Sequence, residues 1–407
     1  MRTKTLVLLL TVYPCSVWAG EQLTPYASAQ IERNSNIFSR SDTPLPAPPP
    51  AAGPPVVGIL LPPPPIEGAG GDLSPADTVM RYIGGLDVKL PWGNQLFRAT
   101  AEARRFEYKQ FTRLDHDEHL LGVGLDWRLT SSRMEGALDY RQERRMAVFA
   151  ERSTAELTLD DERIGTAAVD FDIATDWTLE TELESRDLKA PLPEAPEFRL
   201  KEHTLNVAIK RLYAEMYATG VYGEYVRGQF DGINGASRFQ QASLGLTAAY
   251  FIEDLGRVGA EIGYTVREDE GSELLSALTG LITYRREWTV KTSLDVQAFS
   301  RLRSYASGAN SVEELGGDAR LSWLATEKFS ITGEYQLTHG RFEDAGAPSM
   351  NRDRRDTSHA AALTLNYRML TWLTLRTYGG YQQRDSNQAT SQFDTTLIGA
   401  ELKVRFE

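Results

Sequence analysis

The sequence has 407 residues, of which 41% are hydrophobic, 25% charged and 10% aromatic, and its formal net charge is −12. This acidic balance argues against a nucleic-acid-binding protein. Outside the first 20 residues no apolar run approaches the roughly 18–20 residues that a transmembrane helix needs, which argues against a helical membrane protein.

The N-terminus has the features of an export signal. A basic start is followed by the apolar stretch Leu6–Val12, which is too short to span a bilayer, and Val17 and Ala19 suit the −3 and −1 positions of a cleavage site. We therefore predict a signal peptide over residues 1–19 and a mature region over residues 20–407.

A segment rich in proline, glycine and alanine occupies residues 41–76. Proline donates no backbone hydrogen bond, so this stretch cannot pair within a central strand. We predict a loop insertion here. Two alternatives remain open: an ordinary surface loop, or a loop that folds back to constrict a pore or to contact a partner domain.

From Thr78 onward the sequence alternates apolar with polar residues in segments of roughly 9–15 residues, the signature of β-strands with one apolar and one polar face. The alternation is clearest in 121–129, 258–266, 290–298 and 398–406. The polar faces carry many charges and glycines, whereas the apolar faces carry small residues beside Leu, Val and Tyr. This pattern is typical of a barrel that is apolar outside and polar inside.

The connections between these segments alternate in length, as they do in outer-membrane barrels with short periplasmic turns and long extracellular loops. We count about 18 segments, and 16 remains possible because the first segment and the junction near Ala155–Asp161 are ambiguous. The predicted fold is an all-β, transmembrane, antiparallel up-and-down β-barrel of the Gram-negative outer membrane. The longer connections are predicted at 34–77, 109–115, 147–162, 187–201, 230–237, 267–272, 305–314, 340–356 and 385–392.

Six tryptophans remain after the predicted signal peptide, and each lies near a short connection. Tryptophan prefers the membrane–water interface, so we predict an aromatic girdle at the periplasmic rim; ordinary packing at strand ends is the alternative. The girdle residues are Trp92, Trp127, Trp177, Trp288, Trp323 and Trp372.

The polar faces supply the candidate pore-lining residues. The early-middle strands are mostly acidic and the last strands mostly basic. These charges either form a path for polar solutes or pair with one another to rigidify the wall, and about 18 strands make a barrel too wide for side chains to fill. The candidates are Arg98, Glu102, Arg104, Asp126, Arg128, Glu135, Asp139, Glu180, Glu182, Lys210, Glu261, Lys291, Asp295, Arg320, Glu334, Arg368, Arg376, Glu401, Lys403 and Arg405.

Metal and cofactor chemistry has little support. His116 and His119 lie in an acidic run, but residues three apart on a strand point to opposite sides, which disfavours a shared cation site. Residues 160–162 could hold Ca²⁺ through carboxylates, although an acidic loop is the simpler interpretation. Cys15, the only cysteine, is either an acylation site or is removed with the signal. We predict no metal site and no cofactor.

Catalytic motifs are absent from the sequence: it has no nucleophile elbow, phosphate-binding loop or zinc-binding helix motif. His339 and His359 lie near outer loops, with Ser349 and Ser358 nearby, and a serine–histidine hydrolase is the enzymatic alternative. Because nothing in the sequence fixes that geometry, we predict no catalytic residues and no enzyme activity.

Three segments carry a resemblance to a known family: PYASAQIERNSNIF at 25–38, WRLTSSRMEGALDYRQERRM at 127–146, and RRDTSHAAALTLNYRMLTWLTLRTYGGYQQRDSN at 354–387. They resemble EpsL-type outer-membrane barrels associated with exopolysaccharide biosynthesis in Gram-negative bacteria, within a wider group of β-barrel porins. The resemblance supplies no site residues.

The resemblance implies a channel or accessory component for exopolysaccharide export. The implied partners are outer-membrane lipid, a secreted polysaccharide, and periplasmic and inner-membrane export components; no nucleic acid is expected. A general or ion-selective diffusion porin is the main alternative, and a surface adhesin or assembly scaffold is another.

Overall fold

The computed structural model describes residues 22–39, 76–129, 133–147, 157–192, 195–213, 216–232, 235–252, 256–270, 274–304, 311–343, 354–388 and 391–406. The predicted signal peptide over 1–19 and residues 41–75 of the predicted proline-rich insertion lie outside these ranges.

The described chain consists almost entirely of long strands. They are β1 (Gln22–Asn34), β2 (Asp77–Trp92), β3 (Gln95–Tyr108), β4 (His116–Leu129), β5 (Met134–Met146), β6 (Leu159–Ala174), β7 (Trp177–Leu192), β8 (Ala195–Tyr213), β9 (Tyr217–Gly232), β10 (Gly235–Ile252), β11 (Gly256–Asp269), β12 (Leu275–Thr289), β13 (Thr292–Ser304), β14 (Ser311–Thr326), β15 (Phe329–Glu343), β16 (Arg355–Arg368), β17 (Leu373–Ser386) and β18 (Phe393–Arg405). A single 3-10 turn, Thr112–Leu114, precedes β4. In the described ranges, no helix has the length and hydropathy of a transmembrane helix.

Each strand pairs antiparallel with its neighbours in the chain, and the sheet closes on itself. Ala27 on β1 pairs with Gly84 on β2 and, on its other side, with Val404 on β18. The result is a closed 18-stranded up-and-down barrel. This confirms the predicted fold class. The strand count is 18 and not 16, because the first segment forms β1 and the segment after the ambiguous junction forms β6.

The strands extend further at the long-connection end than the sequence predicted. The predicted connection at 187–201 is largely strand, because β7 runs to Leu192 and β8 begins at Ala195; likewise 230–237 is mostly taken up by β9 and β10. At this end the alternation is inverted, because Leu188, Phe198 and Leu200 are buried on the inner face whereas Lys189, Arg199 and Lys201 lie on the outer face. The membrane pattern of apolar outside and polar inside therefore no longer marks these strand ends.

The outer face of the barrel is apolar and exposed. Leu244, Tyr264 and Leu278 lie side by side across β10, β11 and β12, and are 72%, 55% and 63% exposed. On the opposite face, Thr265 Oγ1 lies 2.9 Å from the hydroxyl of Ser243. A contiguous apolar outer surface around a closed sheet without free edges is the arrangement that a lipid bilayer requires.

Candidate functional site

The inner face of the barrel carries most of the charged residues predicted to line a pore. The strand registers place all but one of them on the face opposite the exposed apolar residues; Lys291 lies instead in the turn between β12 and β13. The residues on the inner face are Arg98, Glu102, Arg104, Asp126, Arg128, Glu135, Asp139, Glu180, Glu182, Lys210, Glu261, Asp295, Arg320, Glu334, Arg368, Arg376, Glu401, Lys403 and Arg405.

One side of the lumen is acidic. Asp170 on β6 pairs in register with Glu180 on β7, and Glu180 binds the Lys210 ammonium at 2.6 Å. In the part of the chain that the structure describes, no cation lies within ion-pair distance of Glu182 or Glu184. We define the acidic wall as Asp170, Glu180, Glu182, Glu184 and Glu224.

The other side of the lumen is basic. Arg376 and Glu401 form a long ion pair at 3.7 Å, and the ammonium of Lys403 lies 4.3 Å from the centroid of the Tyr26 ring. We define the basic wall as Arg368, Arg376, Arg384, Lys403 and Arg405. In a closed ring of 18 strands, β7 lies opposite β16 and β8 opposite β17, so the two walls face each other.

The distance between the walls exceeds the reach of their side chains. Strands about 4.8 Å apart and tilted by about 40° give an 18-stranded barrel a backbone diameter of roughly 35 Å. Side chains extend only about 6–7 Å from the backbone, so side chains from opposite walls cannot meet across this diameter. Barrels of about 16–18 strands accordingly enclose an aqueous lumen. The opposed walls therefore impose a transverse electric field on that lumen.

Ion pairs fix the wall between these two sides. On β3, β4 and β5, Arg98 binds Asp126 at 2.8 Å and Asp139 at 3.1 Å. Closer to the long-connection end, Arg104 binds Glu143 at 3.1 Å. These charges pair with neighbours along the wall, as in the alternative that charges rigidify the wall. The acidic wall differs, because Glu182 and Glu184 have no ion-pair partner among the residues that the structure describes.

The inner surface is packed at the long-connection end. The rings of Phe198, Phe230 and Phe239 lie next to one another and are buried. Arg267 is only 1% exposed and lies 4.0 Å from the Phe239 ring centroid. Its Nε and Nη2 groups donate hydrogen bonds to the buried carboxylate of Asp269. This end of the inner surface is therefore ordered by side-chain packing.

The short-turn end is open by comparison. The side chains of Arg128 and Arg320, which lie on the inner face near the short turns, are 68% and 60% exposed. The inner surface therefore has solvated charges at the short-turn end and a packed rim at the other.

Two inner tyrosines link strands that are not neighbours. The Tyr26 ring on β1 passes over Gly85 on β2, and its hydroxyl donates to Glu102 on β3 at 2.5 Å. On the other side of β1, the Tyr378 ring on β17 passes over Gly399, and its hydroxyl donates to Glu32 at 2.7 Å. The glycines leave the space that each ring occupies, and sequence patterning gave no sign of these contacts.

The predicted girdle residues all lie at the short-turn end. By register, Trp92, Trp127, Trp177, Trp288 and Trp323 point outward, and Trp372 lies in the turn before β17. Two of them make cation–π contacts: the guanidinium of Arg211 lies 5.5 Å from the centroid of the Trp177 ring, and that of Arg286 lies 5.7 Å from the centroid of the Trp288 ring.

The candidate metal ligands are separated by the pleat of the strand. His116 points inward, where it contacts Glu118 at 3.2 Å, whereas His119 lies on the outer face. Within the described ranges, no group of three or more His, Cys, Asp or Glu residues is arranged to hold a metal ion.

The histidines considered for catalysis point toward the outside of the barrel. His339 contacts the Thr357 hydroxyl at 3.0 Å and His359 contacts the Tyr335 hydroxyl at 2.9 Å. Ser358 lies on the inner face, on the opposite side of the strand from His359, and Ser349 lies outside the described ranges. Neither histidine therefore forms a nucleophile–base pair with Ser358.

The fold and the lumen together define a transmembrane β-barrel with a charged interior. Neither a known protein family nor a curated protein matches the sequence.

Solved structures with similar folds include the apoprotein form of the FrpB iron transporter from Neisseria meningitidis (F5-1 variant). It has 8% identity and a TM-score of 0.50, and the match covers 94% of this chain and 81% of that one. OccK9 (OpdG) from Pseudomonas aeruginosa has 12% identity and a TM-score of 0.48, and the match covers 95% of this chain and 99% of that one. The F3-3 variant of FrpB has 10% identity and a TM-score of 0.48. The match covers 88% of this chain and 62% of that one, so the chain spans less than two thirds of that transporter. At these identities the likeness establishes the barrel fold alone.

Proposed function

We propose that the protein is a passive channel of the Gram-negative outer membrane that conducts polar and charged solutes without chemical conversion. The observation that carries this proposal is the acidic wall facing the basic wall across a lumen too wide for side chains to fill. A transverse field of this kind orients and sorts ions and dipolar solutes by charge. The apolar outer face, in contact with outer-membrane lipid, holds the barrel in the bilayer.

The proposed orientation puts the short turns in the periplasm and the long connections outside the cell. In this orientation the tryptophans lie at the periplasmic interface, and the packed end with Phe239 and Arg267 lies at the extracellular rim. The predicted signal peptide over 1–19 provides the export route that such a location needs.

Within this class, the resemblance to EpsL-type barrels supports export of an exopolysaccharide, with periplasmic and inner-membrane export components as partners. A hydrated conduit lined by many weak polar contacts suits a glycan, because no single contact holds it strongly. A general or ion-selective diffusion porin is the alternative, and the same charged lumen suits it equally.

Planar-bilayer recordings of the refolded protein test the channel. We expect steady ionic conductance, and a reversal potential under a KCl gradient that changes when Glu182→Gln and Glu184→Gln are combined. Glu107→Gln, an identical change on the outer face of β3, is the matched control and should leave selectivity unchanged. The difference should fade at 1 M salt, where the screening length is about 3 Å. Absence of conductance in correctly folded protein would refute the channel.

Deletion of the gene distinguishes export from general diffusion. The export role predicts loss of surface polysaccharide while uptake of small solutes persists. A diffusion porin predicts the reverse: slower uptake of small solutes with an unchanged polysaccharide layer.

A further inference from the structure

A pocket of about 290 Å³ interrupts the inner wall of β7–β12 near the short-turn end. Its base is formed by Ala218, Ala249 and Gly259, which are adjacent in register across β9, β10 and β11. Leu212 and Thr283 flank them on β8 and β12. Because three neighbouring strands have only small residues at this level, no side chain fills the wall, and a recess remains.

Charged groups lie at the two ends of this recess. On the side of the short turns, the guanidinium of Arg257 lies 4.9 Å from the centroid of the Phe251 ring. On the other side lie Glu261, Thr247 and Lys210, and Lys210 is already bound to Glu180. Across the described residues, no carboxylate is within ion-pair distance of Arg257 and no cation is within that distance of Glu261.

This arrangement suits a ligand with an anionic end and a hydroxylated end. The Phe251 ring supports the guanidinium plane of Arg257, whose N–H groups form a fork that matches a carboxylate. Thr247, Thr283 and Glu261 offer hydroxyl and carboxylate groups that bond to sugar hydroxyls. Arg257 and Glu261 are four residues apart on β11, about 13 Å at the rise of a strand.

Other small anions match the recess less well. A free amino acid has its ammonium beside its carboxylate, so it cannot reach Arg257 and Glu261 together. A ligand with a second anionic group would be repelled by the carboxylates of Glu261 and Glu180 at the other end of the pocket. The volume is near the lower end of small-molecule sites, which fits a single monosaccharide unit.

We propose that this recess is a binding subsite for a carboxylated sugar, either a free sugar acid or one residue of an acidic polysaccharide, with Arg257 on its carboxylate. The proposal rests on the channel function and names the class of solute that the channel prefers.

The test is block of single-channel current by added sugars, with sodium glucuronate, glucose and glucosamine as probes. We expect glucuronate to interrupt the current at lower concentration than either of the others. Arg257→Gln should raise the half-blocking concentration of glucuronate by about 10-fold or more, since a hydrogen bond to a charged group is lost, and should leave the weak effect of glucose unchanged.

Ala249→Trp fills the recess without removing a charge and should abolish the block by glucuronate. Ala362→Trp is the matched control, because Ala362 faces the lumen from β16, six strands away from β10. Retained heat-modifiable migration on gels establishes that each variant has folded, and Arg257→Gln keeps the test decisive if Ala249→Trp fails to fold.

The outcomes separate this inference from the proposed function. Folded protein that conducts no ions refutes the channel itself. Conductance with equal sensitivity to the three sugars, or block strongest with glucosamine, refutes the sugar-acid subsite and leaves the channel intact. Oligogalacturonate, compared with galacturonate, identifies the source of the ligand. Stronger block by the oligomer than by galacturonate indicates an acidic polysaccharide, and equal or weaker block indicates a free sugar acid.

Discussion

Replacing Gly85 by alanine should destabilise the barrel although the new side chain is small. A Cβ at this position would lie 2.5 Å from the Tyr26 hydroxyl oxygen and 2.8 Å from its Cε1, so the ring has to move away. Its hydrogen bond to Glu102 is then lost, at a cost of about 1.5–3 kcal/mol for a bond to a charged group. The better strand propensity of alanine offsets about 0.5–1 kcal/mol. We expect a net loss of about 1–2 kcal/mol.

The neighbouring glycine provides the matched control. Gly84 lies on the outer face of the same strand, and a Cβ there would meet nothing within 4 Å. Gly84→Ala should therefore be neutral or stabilising by about 0.5 kcal/mol. Urea titrations of the protein refolded in detergent micelles, followed by tryptophan fluorescence, measure both variants under the same conditions.

A double-mutant cycle tests the proposed cause. Tyr26→Phe removes only the hydroxyl, and once it is gone Gly85→Ala should cost much less than in the wild type, because the two changes remove the same bond. If Gly85→Ala proves as stable as Gly84→Ala, or if the two effects are simply additive, the reasoning about this contact is wrong.

Four other substitutions address the packed rim and the girdle. Arg267→Ala leaves the buried carboxylate of Asp269 without its partner and should lower the free energy of unfolding by about 3–5 kcal/mol in the same urea titration; a loss under 1 kcal/mol would contradict this. Phe239→Ala should cost a similar ~3–5 kcal/mol, because the ring is buried against other aromatics. Trp288→Phe and Trp323→Phe should each reduce the fluorescence quenched by lipids brominated near the headgroups, and unchanged quenching would argue against the girdle.

The sequence predicted the strands wherever the bilayer imposes alternation. The connection predicted at 109–115, for example, is the segment between the end of β3 at Tyr108 and the start of β4 at His116. The starts of β8 and β10 were predicted several residues late, because their first residues belong to the rim, where the apolar face points inward instead of toward lipid. Lys291 was assigned to the lumen because the alternation continues through the turn before Thr292.

The site was predictable only in part, for a geometric reason. Alternation indicates which face of a strand a residue occupies, but it does not indicate which residue lies beside it on the next strand. The pairing of Arg98 with Asp126 and Asp139 depends on two registers, and the recess at Ala249 and Gly259 depends on three adjoining strands. Such groupings exist only once the sheet has closed.

Closure of the barrel through β1 and β18 has a consequence for its biogenesis. These two strands lie at opposite ends of the described chain, so the contact that completes the ring is also the most distant in sequence. Until it forms, the sheet has two edges with unpaired backbone groups, and such edges recruit other chains. The entropic cost of bringing Tyr26 to Arg405 comes late and slows folding. A sheet that lacks only the pairing of its first and last strands is therefore the assembly stage most exposed to aggregation.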